Sequence, residues 1–352
     1  MRAYLTRGQE ARANRMLRVH CDIYNACLEE RIKAWRMNGI SVNYGMQSAQ
    51  LPAVRQIDPR VAEFSASAEQ RTVRRVDRTF KAFFDRCKRG ETPGFPRYRS
   101  WRRFDTVDHT AGDGSKWTPT EGRWARAYFQ GVGHIKVGEH TRVVGTVKQI
   151  SLVRDGRRWF VVAVATSEVK PLASTGLTVG IDVGIARFAT TSDGEIIDNP
   201  RFLGRGAAEL ADLQRRKALN PTSKNLKRKI GKLHRRVKNQ RREFHHQTAR
   251  RLVDTYDTLA IEDLKVQRMS RITDVGWAQF RTILTAKAEN AGRVVIAVNP
   301  AYTSIDCHRC GRRCTRPQQD TVVCPTCGSC DADLNGAHNI HKRAGLGSQV
   351  AA

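Results

Sequence analysis

The sequence predicts a multidomain protein of mixed class, α+β and α/β, and three observations carry that expectation. Apolar stripes at helical spacing run through residues 10–37 and 67–88. From about residue 133 the texture becomes that of strands. Further on, apolar segments at 177–185, 258–264 and 293–298 each have the length of a buried strand, with a long helical pattern between the first two. At 352 residues the chain is long enough for roughly two to three domains.

The first helix is predicted by Leu17, Cys21, Tyr24, Leu28, Ile32 and Trp35, whose spacings of 4, 3, 4, 4 and 3 lie on one helix face. A second, over 67–88, places Ser67 and Gln70 in capping-box positions. Val73, Val76, Phe80, Phe84 and Cys87 form its apolar face, and Arg71, Arg74, Arg75 and Arg78 form a cationic one. After Gly90 come helix breakers and then an aromatic–arginine alternation from Phe95 to Phe104. It suits either base stacking with phosphate contact or a strand with one buried face. Ile135 and Val137, then 143–153 and 159–165, read as strands of a small β domain, with Asp155-Gly156 as a hairpin turn. Residues 170–176 read as a linker, and no internal repeat is visible.

Charge narrows the function classes. Lys and Arg number 62 against 34 Asp and Glu, a formal net charge of +28, so the surface attracts polyanions, nucleic acid foremost. No lone helix joins a basic face to a Trp/Phe/Leu face as membrane-surface binding would need. The longest apolar run, 159–165, is far short of the ~18 residues of a membrane span, and the N-terminus lacks a secretory hydrophobic region. The expectation is an intracellular, cytoplasmic protein, nucleoid-associated when bound to DNA, with no membrane partner.

Of nine cysteines, Cys21, Cys27 and Cys87 fall on helix faces as core residues, and six crowd into 307–330. Cys307/Cys310 and Cys324/Cys327 are Cys-x-x-Cys pairs separated by 13 residues, the spacing of two knuckles closing a tetrahedral zinc site. Cys314 and Cys330 remain as possible substitutes. A disulfide knot does not suit a reducing compartment, and a redox site needs only one pair. A closed four-ligand site leaves no position for substrate, so catalysis belongs elsewhere.

The apolar segment 177–185 is interrupted by one carboxylate, Asp182, which needs a metal or a cation because an unpaired buried charge is very costly. The segment 258–264 ends in Glu262 and Asp263, and Asp331 and Asp333 sit where the cysteine-rich segment passes into a short terminal helix. Converging carboxylates can hold Mg²⁺ or Mn²⁺ ions about 4 Å apart for phosphodiester cleavage. Between the first two acidic segments, 215–251 carries fifteen Lys and Arg against the single acid Glu243. It reads as one long helix with Leu226, Ile230, Leu233, Val237 and Phe244 as its buried stripe. Like-charge repulsion on such a helix is relieved by a polyanion.

This order of motifs resembles the TnpB family of transposon-encoded RNA-guided nucleases, relatives of the compact type V CRISPR effectors. The matching pieces are Gly180-Ile181-Asp182-Val183-Gly184, Leu233-His234-Arg235-Arg236-Val237, Asn239 to His246, Ile261-Glu262-Asp263-Leu264, Gly276-Trp277 with Phe280, the two cysteine pairs, and Asp333 to Ile340. Upstream, 70–84 and 94–98 match more loosely. The resemblance implies an RNase H-like (RuvC) nuclease domain at 171–303 and 331–352 with a zinc ribbon inserted at 304–330. It also implies a β-barrel wedge domain at 1–9 and 94–170 and a helical recognition domain at 10–93. Asp182, Glu262 and Asp333 match the family's three metal-binding carboxylates, and Gln70 matches a position near the target-adjacent DNA motif. Two residues, Ser329 and Cys330, separate Gly328 from Asp331 where the family has three, which leaves Asp331 as a competitor to Asp333.

The implied activity is Mg²⁺-dependent, RNA-guided cleavage of double-stranded DNA beside a short motif, with structural zinc and a bound guide RNA. Arg74, Arg78, Lys227, Arg228, Arg235, Arg236, Arg241 and Arg242 are the nucleic-acid-binding candidates alongside Gln70. A nuclease-inactive guided repressor, a transposase and a zinc-containing binder without activity are the alternatives. Monomer and dimer both remain open.

Overall fold

Local signals start and stop most helices in the first of two units, residues 1–168 and 169–352. The computed structural model describes residues 1–120, 122–138, 143–168, 171–264 and 275–346. After strand β1 (Arg2–Tyr4), Thr6 caps α1 (Arg7–Asn38). Its hydroxyl accepts from Gln9 N at 3.3 Å, the Gln9 side chain accepts from Thr6 N at 3.0 Å, and Gly39 ends the helix at φ 66°. Leu17, Cys21, Tyr24 and Leu28 are buried, but Trp35 is 64% exposed, so the stripe fades before the helix does.

Two helices that the periodicity did not reveal follow, α2 (Tyr44–Ile57) and α3 (Pro59–Ala62); α2 contains Pro52 and buries only Gln47 and Leu51, a pattern too sparse to read. The next helix, α4 (Ala66–Lys88), corrects the cap: Ser65, not Ser67, accepts from Ala68 N, and the Ser67 hydroxyl donates to Asp113 O at 3.2 Å instead. Its apolar face is buried only as far as Val76, leaving Phe84 and Cys87 exposed.

Strands β2 (Thr106–Thr110), β3 (Ser115–Pro119), β4 (Trp124–Phe129), β5 (Gly133–Gly138), β6 (Thr146–Asp155) and β7 (Arg158–Thr166) complete this unit. With β1 they form an antiparallel sheet in the order β2-β6-β7-β1-β5-β4-β3, and β3 approaches β6 so that the barrel nearly closes. Gly156, at φ 63°, is the first of two residues linking β6 to β7. Ile135, Ile150, Leu152 and Phe129 pack from the sheet against Met16, Leu17 and Phe64. The aromatic–arginine run forms no strand, because residues 91–105 are irregular throughout.

The second unit begins with β8 (Thr178–Val183), β9 (Arg187–Thr191) and β10 (Ile196–Asp198), followed by helices α5 (Phe202–Leu219) and α6 (Lys224–Thr255). The basic segment is therefore two helices rather than one. Proline cannot extend a helix that needs its N–H, and Pro221 falls in the break, after which Ser223 caps α6 by accepting from Leu226 N at 3.3 Å. Then come β11 (Thr258–Glu262), α7 (Trp277–Asn290), β12 (Val294–Val298), β13 (Thr315–Gln318), β14 (Thr321–Cys324), β15 (Gly328–Asp331) and α8 (Ala332–Arg343).

The main sheet has the order β10-β9-β8-β11-β12, with β8, β11 and β12 parallel and β9 antiparallel to both of its neighbours, β8 and β10. This is the mixed sheet of an RNase H-like domain, and β13–β15 form a separate antiparallel ribbon before α8. Among the described residues no helix is long and apolar enough to cross a membrane.

Candidate active site and metal centre

Asp182 stands in β8 between the buried side chains of Ile181 and Val183. Burial first, then the charges of Glu262 and Asp333, push its carboxyl up to about 8. Two glycines allow α8 to lie directly on this strand. A Cβ on Gly336 would sit 2.6 Å from Asp182 Oδ2, and one on Gly180 would run into Ala337 O and lie 2.6 Å from His341 N. Only residues without a Cβ permit that approach, and it carries Asp333, in the first turn of α8, toward Asp182.

Glu262 closes β11. Burial raises its carboxyl, opposed by a hydrogen bond from the hydroxyl of Thr303, which is itself buried. Thr303 is in turn placed by α8: Asn339 Nδ2 donates to Thr303 O at 2.8 Å and to Asp306 O at 2.6 Å, and Asn335 Nδ2 donates to Asp306 O at 2.8 Å. One helix thus fixes Asp333 and also the group that orients Glu262.

Asp331 is engaged otherwise. Its Oδ1 accepts from Asp333 N and Leu334 N, both at 3.0 Å, capping α8, and its Oδ2 lies 2.7 Å from Arg187 Nη1. Asp333 keeps only a longer pairing with Arg187, 3.7 Å, and burial raises its carboxyl. Three carboxylates, two of which disfavour ionisation of the third, Asp182, form a donor set suited to hard divalent cations. Sequence reasoning missed Arg187 and Thr303, and it placed Gly180, Asn335, Gly336 and Asn339 in motifs without giving them a role. The Asn335/Asn339 pair at helical spacing around Gly336 was the signal available.

The four sulfurs of Cys307, Cys310, Cys324 and Cys327 lie within 4.8 Å of one another, with Cys310 and Cys324 3.5 Å apart. Zn–S bonds of about 2.3 Å in a tetrahedron place sulfurs about 3.8 Å apart, so the set fits zinc. Backbone N–H groups of Thr326 and Cys327 pull the Cys324 thiol down to about 6, toward the thiolate that binds metal. Cys314, pushed up to about 12 by burial first and its neighbouring thiols, lies outside the group, as does Cys330. Among the described residues no other His, Cys, Asp or Glu set gathers this tightly, so the carboxylates are more widely spread than the thiols.

Gln70, Arg74 and Arg78 share one exposed face of α4, with Arg74 4.7 Å from the Tyr44 ring centroid. Their neighbours are committed inward: Arg71 donates to Thr110 Oγ1 at 2.9 Å and Gln149 Oε1 at 2.7 Å, and Arg75 donates to Thr106 O at 3.2 Å. On α6, Lys227, Arg228, Arg236 and Arg242 are exposed, while Arg235 and Arg241 are half-buried.

Two family models match the chain: OrfB_IS605, described as a probable transposase, over residues 160–273, and the Cas12f1-like TNB domain over 277–340. A putative RNA-guided DNA endonuclease of Streptomyces pristinaespiralis is 30% identical over 366 residues, covering 96% of this chain and 87% of that one. The putative RNA-guided DNA endonuclease InsQ of Escherichia coli (strain K12) is 29% identical over 301 residues, 77% of this chain and 72% of that one. In three dimensions the chain is similar to Cas12f1 in the cryo-EM structure of its complex with sgRNA and target DNA, with a TM-score of 0.61 at 17% identity, over 93% of this chain and 81% of that one.

Proposed function

The chain belongs to the TnpB family, and from that premise we propose that it is an RNA-guided DNA endonuclease. A bound guide RNA supplies sequence recognition by base pairing, and the protein reads a short duplex motif beside the target. In this reading the seven-stranded barrel is the wedge domain and α1–α4 the recognition domain, with Gln70, Arg74 and Arg78 facing DNA. The basic face of α6 holds phosphates. The four-cysteine ribbon is a structural zinc module.

Asp182, Glu262 and Asp333 are the catalytic carboxylates. The observation that carries this assignment is the charge gathered on one buried carboxyl: Glu262 and Asp333 both act on Asp182 from separate elements. Asp333 is preferred to Asp331 because both Asp331 oxygens are already engaged, by the α8 N-terminus and by Arg187. Mg²⁺ or Mn²⁺ bound to these acids would supply an activated water and a stabilised 3′ leaving oxygen. The chain's own part is positional. The Thr303 hydroxyl holds one oxygen of Glu262, the glycine contact fixes Asp182 against α8, and Arg187 balances charge beside Asp333.

The test is to sequence RNA that co-purifies with the protein and to assay Mg²⁺-dependent cleavage of the matching duplex by wild type and Asp182→Ala. The reading predicts a discrete RNA with a variable end and loss of cleavage in the variant with guide and target binding retained. Equal loss of binding and cutting contradicts the assigned role, and strand joining without RNA favours a transposase.

A further inference from the structure

The segment 91–105 is neither helix nor strand, yet it presents Phe95, Tyr98 and Trp101 at 48%, 55% and 40% exposure. Trp101 borders a cleft of about 450 Å³ whose other walls include Arg102, Arg103, Asp105, Arg154 and Asp155. Arg154 is fixed there by Asn14 Oδ1 at 2.6 Å and by the carbonyls of Trp101, Arg102 and Phe104 at 3.2, 3.5 and 3.4 Å. Arg18, Arg102 and Arg154 stand 5.4, 5.7 and 6.0 Å from the Trp101 ring centroid.

An accessible indole beside one anchored guanidinium, Arg154, and the exposed side chains of Arg102 and Arg103 offers a stacking face and phosphate partners together. The two carboxylates would repel a phosphate placed on them. They can instead accept a hydrogen bond from a ribose 2′-hydroxyl, which deoxyribose does not offer. We propose that this cleft seats one unpaired ribonucleotide of the bound RNA, with its base on Trp101, its flanking phosphate on Arg102 and Arg103, and its ribose toward Asp105 and Asp155. The proposal rests on the RNA-guided reading and adds a specific ribonucleotide site to it.

The test uses the full chain and the RNA identified by co-purification, transcribed and end-labelled, with affinity measured by filter binding at fixed salt for wild type, Trp101→Ala and Trp101→Phe. Trp101→Ala should bind about tenfold or more weakly, Trp101→Phe should recover most of that loss, and nuclease footprinting should lose protection at one unpaired nucleotide only in the alanine variant. A single 2′-deoxy substitution at that nucleotide should weaken binding to wild type and leave the alanine variant unaffected. Thermal melting reports whether each variant is folded, and if Trp101→Ala unfolds, a scan of single 2′-deoxy substitutions across the unpaired nucleotides, read on wild type alone, carries the test, with no position weakening binding as the overturning result. The cleft assignment is overturned if wild type binds the RNA and Trp101→Ala binds it equally, if the 2′-deoxy substitution weakens both alike, or if the corresponding DNA strand binds as tightly. Failure of wild type to retain any discrete RNA would defeat the guided reading itself.

Discussion

Gly336→Ala should separate stability from catalysis. The added Cβ would lie 2.6 Å from Asp182 Oδ2, against an ordinary contact of at least 3.4 Å, so Asp182 or α8 must give by the difference, 0.8 Å. Overpacking of this kind costs about 1–3 kcal/mol, offset by about 1 kcal/mol of helix propensity. The net of about 0–2 kcal/mol shifts melting by only a few degrees, since 1 kcal/mol is about 2–4 °C for a unit of this size. A misplacement approaching 1 Å at a reacting group, however, costs about 100-fold in rate. Gly231→Ala is the matched control, because nothing lies within 4 Å of its Cβ position and the change adds only helix propensity. Single-turnover cleavage of a guided duplex, with melting followed in parallel, checks both. Wild-type cleavage in Gly336→Ala would refute the claim that this contact positions Asp182.

Further outcomes follow from other contacts. Thr303→Val removes the hydroxyl that holds Glu262 and should slow cleavage about tenfold with target affinity unchanged; an unaltered rate removes Thr303 from the site. Asp331→Ala should lose about 1 kcal/mol of capping yet keep more cleavage than Asp333→Ala, and the reverse order in a cleavage assay would exchange their roles. Cys314→Ser and Cys330→Ser should each retain one zinc per chain by metal analysis, whereas Cys307→Ser should lose it. His20 and His109 are buried neutral in the first unit, their rings pushed down to about 3 and about 4, chiefly by burial. The unfolded chain then binds protons that the folded one refuses, so this stability is full above pH 6.5 and is lost as pH falls toward 4, on the order of several kcal/mol. Melting of wild type and His20→Gln at pH 7.5 and 5.5 checks this, and an equal pH response in both contradicts it.

What the sequence revealed and what it concealed divide along physical lines. The α1 stripe and the strands around Asp182 and Glu262 repeat one face over several turns or residues, and burial writes that repetition into composition. The two cysteine pairs are legible because thiolates at that spacing have few other uses, and their sulfurs do converge. Helix α2 left little trace because it buries two side chains and tolerates Pro52. The basic segment read as one helix because its charges resume on either side of the uncharged 218–223 break that Pro221 marks. The α4 cap was misplaced by two residues because Ser65 and Ser67 are equally good caps by residue type, and both hydroxyls reach Asp113 O, distant in sequence, while only Ser65 accepts from the helix N-terminus. Arg187, Thr303 and the Gly180 and Gly336 contacts depend on which elements meet, which no local pattern encodes.

The most direct test is anomalous scattering from Mn²⁺ in crystals of the protein bound to guide RNA and a target that resists cleavage. The account predicts two manganese peaks about 4 Å apart, ringed by oxygens of Asp182, Glu262 and Asp333. Manganese absent from these acids in a complex that cuts once its target is made cleavable would contradict it.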